Sequence, residues 1–295
     1  MSTALISNLW KKIRYPQRQQ STILVIGDAC IDKYIQVFSK KNLEKDVPAF
    51  VVNNNAKVDD KPGMAANVVA TMRKMLQGPV PSTYKVLDLT TNPDEMCLKV
   101  RFMLGEITTM DSEYAFRIDY DKEAKTKFSL ASMPAISSIG AIVISDYCKG
   151  FLTDEDIKAI CSLAKQHSIP LFIDTKRRDL SMITYGFVKI NKSEADSLVN
   201  LPRTSLIVTM GSMGAFYAGD LHAGYDVPVL DTCGAGDAFL SGLVINYLET
   251  KDINKALAFA SATAAVSVQH YGCYAPHTNE INSLLQRHDT FTRKN

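Results

Sequence analysis

The chain has 295 residues, 46% hydrophobic and 22% charged, enough to bury the core of one large domain with a small appendage. A formal net charge of +2 lacks the basic excess that a nucleic-acid or membrane partner selects. Six cysteines (Cys30, Cys97, Cys148, Cys161, Cys233 and Cys273) stand without CxxC or CxxH spacing, so neither a zinc pattern nor a disulfide framework is indicated.

Cys273 and His277 read as packing or surface residues. In residues 1–20 a short apolar patch precedes basic residues. That is the reverse of a signal peptide's order, and the patch is too short to span a bilayer. The expectation is an N-terminal extension (1–22) on a protein of the reducing cytoplasm.

Residues 23–26 (ILVI) form a continuous, mostly β-branched run ending at Gly27, the pattern of a buried strand in a parallel sheet. Ligands of such sheets collect beyond the carboxyl ends of strands, where GDACIDKY follows. Asp28 and Asp32 are candidates for accepting hydrogen bonds from a sugar diol; the plainer reading makes them turn and cap residues. Residues 34–58 break into short extended segments, and residues 96–107 and 114–120 have the same character. We expect these to build a small β-sheet lid from two places in the chain, about 33–58 and 97–120. A lid suits chemistry that must exclude water.

Between the lid halves lies KPGMAANVVATMRKM, read as a helix opened by Gly63 with Ala66, Val69, Ala70 and Met72 on its apolar face. Asn67 falls in its first turn, where it either reaches a ligand or is simply an early-helix polar residue.

The second half alternates strands (141–145, 171–174, 187–190, 206–209) with helical stretches such as 154–166. This predicts an α/β, doubly wound, mostly parallel sheet with helices on both faces. Each strand ends in polar or glycine residues, which lines up Asp146, Lys149, Lys176, Asn191, Glu194, Thr209, Gly211 and Gly214 along one rim.

A strand-like run at 226–230 then leads into DTCGAGDAF (231–239), a glycine turn opening a helix. Such a turn offers unpaired N–H groups at the positive end of a helix dipole, a place for phosphate. Asp237 beside it can take a proton from an attacking hydroxyl, or can serve as a simple helix cap. The alanine-rich residues 256–268 read as a helix whose small side chains allow close approach to a neighbouring helix or to a flat ligand, with core packing the favoured role. The tail after residue 290 is expected to be loose.

In this order PGMAAN (62–67), NKSE (191–194), TMGSMG (209–214) and DTCGAGDAF resemble the ribokinase-like, or PfkB, carbohydrate kinases, and the resemblance runs from about residue 23 to 285. GDACIDKY, LEKDVPAFVV, KVRF, FRIDYD, SDYCKG and HYGCYAP are similar to segments of one subfamily. That subfamily is the kinase half of the bacterial D-glycero-D-manno-heptose-7-phosphate kinase and ADP-heptose synthase enzymes. The HxGH-type motif of their nucleotidyl-transfer half is not found here, so the expectation is the kinase activity alone.

The resemblance implies ATP and Mg2+, with Asp237 as catalytic base and the N–H groups of Gly234, Ala235 and Gly236 as an anion hole. It implies that Asn191 and Glu194 arrange magnesium through water, that Thr209, Gly211 and Gly214 line the nucleotide site, and that Lys176 contacts phosphate. Asp32, Asn67 and Gly63 fall at the sugar. Lys99, Arg101, Arg117 and Lys149 are placed to neutralise a distal sugar phosphate, or are ordinary exposed lid residues, in which case the acceptor is an unphosphorylated sugar.

Two departures stand out. Met64 follows Gly63 where the family carries a glycine pair at the lid hinge, and 77–95 replaces a strand–helix–strand unit, leaving the sheet short on one edge. The alternatives are a sugar- or nucleotide-binding relative without activity, and a kinase for another small alcohol such as a nucleoside. Exposed lid edges predict a homodimer joined through the lids.

Overall fold

The computed structural model describes residues 20–40, 49–77, 82–105 and 113–292. The expectations for residues 1–19, for 41–48 and for the lid segment at 106–107 lie outside these.

In chain order the elements are β1 (Ser21–Gly27), β2 (Ala29–Lys40), β3 (Ala49–Val51), β4 (Val58–Met64), α1 (Ala65–Met75), β5 (Tyr84–Thr90), β6 (Cys97–Leu104), β7 (Glu113–Tyr120) and β8 (Ile139–Asp146). There follow α2 (Asp154–Gln166), β9 (Leu171–Thr175), β10 (Phe187–Asn191), α3 (Lys192–Asp196), β11 (Ser205–Thr209), β12 (Gly214–Tyr217), β13 (Asp220–Ala223), α4 (Ala235–Thr250), α5 (Ile253–Ser267) and α6 (Thr278–Thr292).

Eight strands make the main sheet in the order β13-β12-β11-β10-β9-β8-β1-β5. It is parallel from β5 to β11, and β12 and β13 run antiparallel at its far edge. Ile23 to Ile26 are fully buried because helices cover both faces, which is why that strand reads as an unbroken apolar run. Each such side chain contributes roughly 1.5–3 kcal/mol on burial. One face packs under α1, α4, α5 and α6; the other packs under α2 and the 180–185 segment.

In α2 the buried Ile157, Ile160, Cys161 and Ala164 recur at helical spacing, and a reciprocal Thr153–Asp156 capping box fixes its start. Among the described residues no helix is long and apolar enough to cross a membrane.

The chain leaves β1 toward β5 on one side and returns past it to β8 on the other, so β1 and β8 flank the topological switch point. Ligands of open α/β sheets gather in the crevice there. From the same end of β1 rises the smaller sheet, β3-β2-β6-β7 with β4 paired to β2. It has the lid-like form expected from the two sequence segments.

Three local readings are corrected. Residues 226–230 are not a strand: Pro228 has no N–H to give a ladder, and the N–H of Leu230 donates instead to Val268 O at 2.7 Å. Gly63 does not open a helix but lies in β4 opposite Cys30, a strand tolerant of Pro62 because β4 is at an edge. The helix begins two residues later, after Met64 at φ 55°, a conformation that glycine adopts more readily. In the shortened region β5 is retained as the last strand of the main sheet, followed by a single 3-10 turn at Pro93–Glu95.

Candidate active site

Gly234 takes φ 75° at the N-terminus of α4, and a side chain there would strike Asn67 Nδ2 at 2.6 Å. Only glycine therefore lets Asn67, from the first turn of α1, reach across. Its Nδ2 donates to Asp237 Oδ2 at 2.9 Å, and Tyr147 OH, just beyond β8, donates to Oδ1 at 3.0 Å. The carboxylate is 4% exposed. Burial pushes its pKa up to about 6, with Asp174 adding to the rise, while the Asn67 and Tyr147 hydrogen bonds and the Lys189 ammonium pull it back.

Of the turn's amides, that of Ala235 donates to Thr232 O at 3.2 Å, whereas those of Gly234, Gly236 and Asp237 find no partner among the described residues. Of the expected nest of Gly234, Ala235 and Gly236, two amides are thus unpaired and that of Ala235 is engaged within the turn, with the Asp237 N–H unpaired beside them.

The turn opens onto a cavity of about 230 Å³ whose wall includes Thr209, Gly211, Gly214, Ala235 and Gly236. Val227 and Phe239, with Ala264, Ala265 and Val268 of the α5 segment, make it largely apolar. So α5 divides its small residues between packing (Ala256, Ala260, Ala262) and the cavity wall. Ser261 Oγ in that wall is buried without a hydrogen-bond partner, a polar group that a bound heterocycle can satisfy.

Asn191 and Glu194 cap α3 reciprocally: Asn191 Oδ1 accepts the Glu194 N–H at 2.9 Å, and Glu194 Oε2 accepts the Asn191 N–H at 2.8 Å. Glu194 Oε1 also accepts from Lys176 Nζ, which lies 4.9 Å over the Tyr147 ring. Two residues that the sequence reading did not single out lie alongside. Lys189, 3% exposed, donates to Asp174 Oδ2 at 2.7 Å, and its Nζ is 2.8 Å from where a side chain at Gly236 would begin. Asp174 Oδ1 is buried with no hydrogen-bond partner, its nearest cation being Lys176 Nζ at 3.8 Å. Asp174 and Glu194 thus share Lys176, and an oxygen left without a hydrogen bond is of the hard type that Mg2+ takes.

At the other end, Asp32 is 3% exposed. Its Oδ1 receives both Arg101 Nη2 at 2.8 Å and Nε at 3.1 Å. Oδ2 lies over Gly63, where a Cβ would come within 2.2 Å of it. Arg101 is thus drawn inward, with its guanidinium over Tyr34 and Tyr114 at 5.8 and 5.9 Å. Lys99 faces Asp119 across β7 and lies over the Tyr147 ring. Arg117 pairs with Asp119 and Lys149 with Asp121, at 2.8 and 2.6 Å. The four cations therefore do not form one open cluster: Arg101 belongs to Asp32, and Lys99, Arg117 and Lys149 surround two acids.

Asp28 holds no free oxygen for a hydroxyl; it accepts the N–H groups of Tyr147, Lys149 and Phe151, the turn role rather than the diol role. Tyr114 OH of the lid donates to Asp231 Oδ2 at 2.8 Å, and Asp231 also accepts the N–H groups of Cys233 and Gly272.

The arrangement sets a buried carboxylate of raised pKa beside unpaired amides at a helix N-terminus, between an apolar cavity and the buried polar side chains of Asn67 and Tyr147. Chemically it can deprotonate a hydroxyl brought to the carboxylate while the amides hold an anion from the cavity side.

Comparison with known proteins agrees with this geometry. The pfkB family carbohydrate kinase pattern matches residues 107–280. The bifunctional protein HldE of Hyphomonas neptunium is 28% identical, over 89% of this chain and 63% of its own length. An uncharacterized sugar kinase of Buchnera aphidicola is 26% identical, over 90% of this chain and 97% of its own. The chain thus spans just under two thirds of its HldE relatives and nearly all of the Buchnera protein. Among solved structures, Arabidopsis thaliana ribokinase complexed with ribose and ATP aligns at TM-score 0.63 and 17% identity, over 90% of this chain and 99% of that one. A nucleoside kinase of Methanocaldococcus jannaschii aligns at TM-score 0.63 and 18% identity, over 91% and 99%. The fold is ribokinase-like, and the chain belongs to the pfkB family of carbohydrate kinases.

Proposed function

We propose that this kinase transfers the γ-phosphate of ATP to a hydroxyl of a sugar or sugar phosphate, with a heptose 7-phosphate-like acceptor favoured. The observation that carries the reading is Asp237, buried and pushed up to about 6, lodged against the unpaired amides of α4. Asp237 takes the proton as the acceptor oxygen attacks in line, and the amides of Gly234, Gly236 and Asp237 receive the charge that develops on the phosphoryl oxygens. Asn67 and Tyr147 fix the carboxylate's orientation.

The adenine lies in the cavity with Ser261 Oγ as its polar contact, and Thr209, Gly211 and Gly214 lie along the nucleotide. Mg2+ fits at Asp174 and Glu194, near Asn191, where it neutralises phosphate charge. Lys176 and Lys189 add positive charge on the same side.

On the acceptor side Asp32 Oδ2 and Asn67 accept and donate to sugar hydroxyls, and Gly63 leaves the space. Lys99, Arg117 and Lys149 reach a distal phosphate by exchanging Asp119 and Asp121 for it. Similarity to HldE over most of this chain supports the heptose preference. The test is ADP release with heptose 7-phosphate, other sugar phosphates, free sugars and a nucleoside. Turnover fastest with the heptose phosphate is the expected result; none with any sugar removes the reading.

We also propose a homodimer formed through the lids in the cytoplasm. β7 is an edge strand, and its Phe116, Ile118 and Tyr120 are exposed, an apolar edge of the kind that finds a partner.

A further inference from the structure

Cys233 and Cys273, scattered in sequence, meet in the fold: their sulfurs are 3.6 Å apart. Cys273 Sγ is also 3.6 Å from Asp32 Oδ2. Among the described residues these three side chains are the one group whose donor atoms could share an ion, all lying within 4.8 Å of one another. We propose that Cys233, Cys273 and Asp32 form a binding site for a soft divalent cation of the zinc class.

Zinc–sulfur bonds of about 2.3 Å and a zinc–oxygen bond of about 2.1 Å give tetrahedral edges of about 3.8 Å (S···S) and 3.6 Å (S···O). The two separations through Cys273 match those edges, and the third, between Cys233 and Asp32, lies within 4.8 Å. A disulfide instead requires the sulfurs to close to about 2.05 Å. Arg101 holds Asp32 through Oδ1 alone, which leaves Oδ2 to face the Cys273 thiol. Thiolate donors select zinc over magnesium, which takes the hard oxygens of Asp174 and Glu194 instead. Three protein donors leave the fourth tetrahedral position open.

One consequence rests on the function proposed above. Asp32 Oδ2 is the oxygen assigned to an acceptor hydroxyl, so the cation and the acceptor exclude each other, and zinc acts as an inhibitor competitive with the sugar.

The site is tested with Co2+ as probe, titrated into the full chain without ATP or acceptor and in the presence of a phosphine reductant that keeps the thiols free. The expected result is a thiolate-to-cobalt charge-transfer band with tetrahedral d–d bands, saturating at one equivalent and lost when zinc is added. Cys233→Ser and Cys273→Ser each weaken cobalt binding by more than about 100-fold, beyond what loss of an outer-shell partner costs. Cys148→Ser, on an exposed thiol away from the site, leaves it unchanged. Circular dichroism checks that the variants fold, and the wild-type titration decides by itself if they do not. Absence of the charge-transfer band in wild type, or its survival in both folded variants, overturns the site. If the band forms but zinc does not raise the KM for the acceptor, the metal site stands and the assignment of Asp32 to the acceptor falls.

Discussion

Replacing Asp237 with Asn separates what the carboxylate does for chemistry from what it costs the fold. Its pKa rises from 3.8 to about 6, chiefly through burial. About two units at roughly 1.4 kcal/mol each place the cost of holding it ionised on the order of 3 kcal/mol. The amide keeps both neighbours. Asn67 Nδ2, 2.9 Å away, still finds an oxygen, and Tyr147 OH at 3.0 Å turns from donor to acceptor for the new NH2.

The sign follows from the raised value. The folded state prefers the protonated acid, so the wild-type penalty is absent below about pH 4, grows between pH 4 and pH 6, and is complete above. Asp237→Asn is therefore expected to be more stable than wild type by about 1–3 kcal/mol at pH 8, and nearly equal to it at pH 4. Urea unfolding at the two pH values measures this. In parallel, kcat falls by about 10²–10⁴, while ATP affinity by calorimetry changes little. A variant no more stable at pH 8, or one whose advantage is the same at pH 4, refutes the argument that burying the charge is what raises the pKa.

The same carboxylate must be ionised to accept a proton, so kcat/KM is expected to climb with pH through an apparent pKa near 6. Tyr147→Phe removes a hydrogen bond to the ionised form and moves that limb to higher pH; a limb that stays put detaches it from Asp237. Gly234→Ala forces φ 75° on a side chain and sets its Cβ 2.6 Å from Asn67 Nδ2, so a loss of about 1–3 kcal/mol is expected, and a Tm equal to wild type contradicts it. Arg101→Ala strands the buried Asp32 carboxylate and is expected to cost about 3–5 kcal/mol. Adding Asp32→Asn recovers most of that loss if the pair is the reason, and none if it is not. Light scattering is expected to give a dimer that Ile118→Asp converts to monomer; a wild-type monomer ends the lid-to-lid proposal.

Much of this architecture was legible because it repeats local rules. Unbroken apolar runs such as 23–26 and 141–144 are buried on both faces, and the 154–166 helix carries its own capping box. The glycine turn before Asp237 announced a helix start with free amides. What escaped the reading depends on contacts between distant residues. Tyr147 looks like any residue after a strand until α4 is laid over it. Lys189 did leave a trace, a lysine inside an apolar strand (FVKIN), which a buried ion pair explains. Nothing local separates Arg101 from Arg117. They are register partners, yet one turns to Asp32 and the other to Asp119. The strand β4 was hidden because Pro62 and Gly63 look like a turn, and only an edge position tolerates them.

The bond from Tyr114 to Asp231 carries a consequence for an enzyme surrounded by water. Asp231 also grips the amides of Cys233 and Gly272, so the flap's position is relayed to the loop that shapes the phosphate seat. Losing the Tyr114 bond would leave that carboxylate to the two amides alone, so lid and phosphate seat share one anchor.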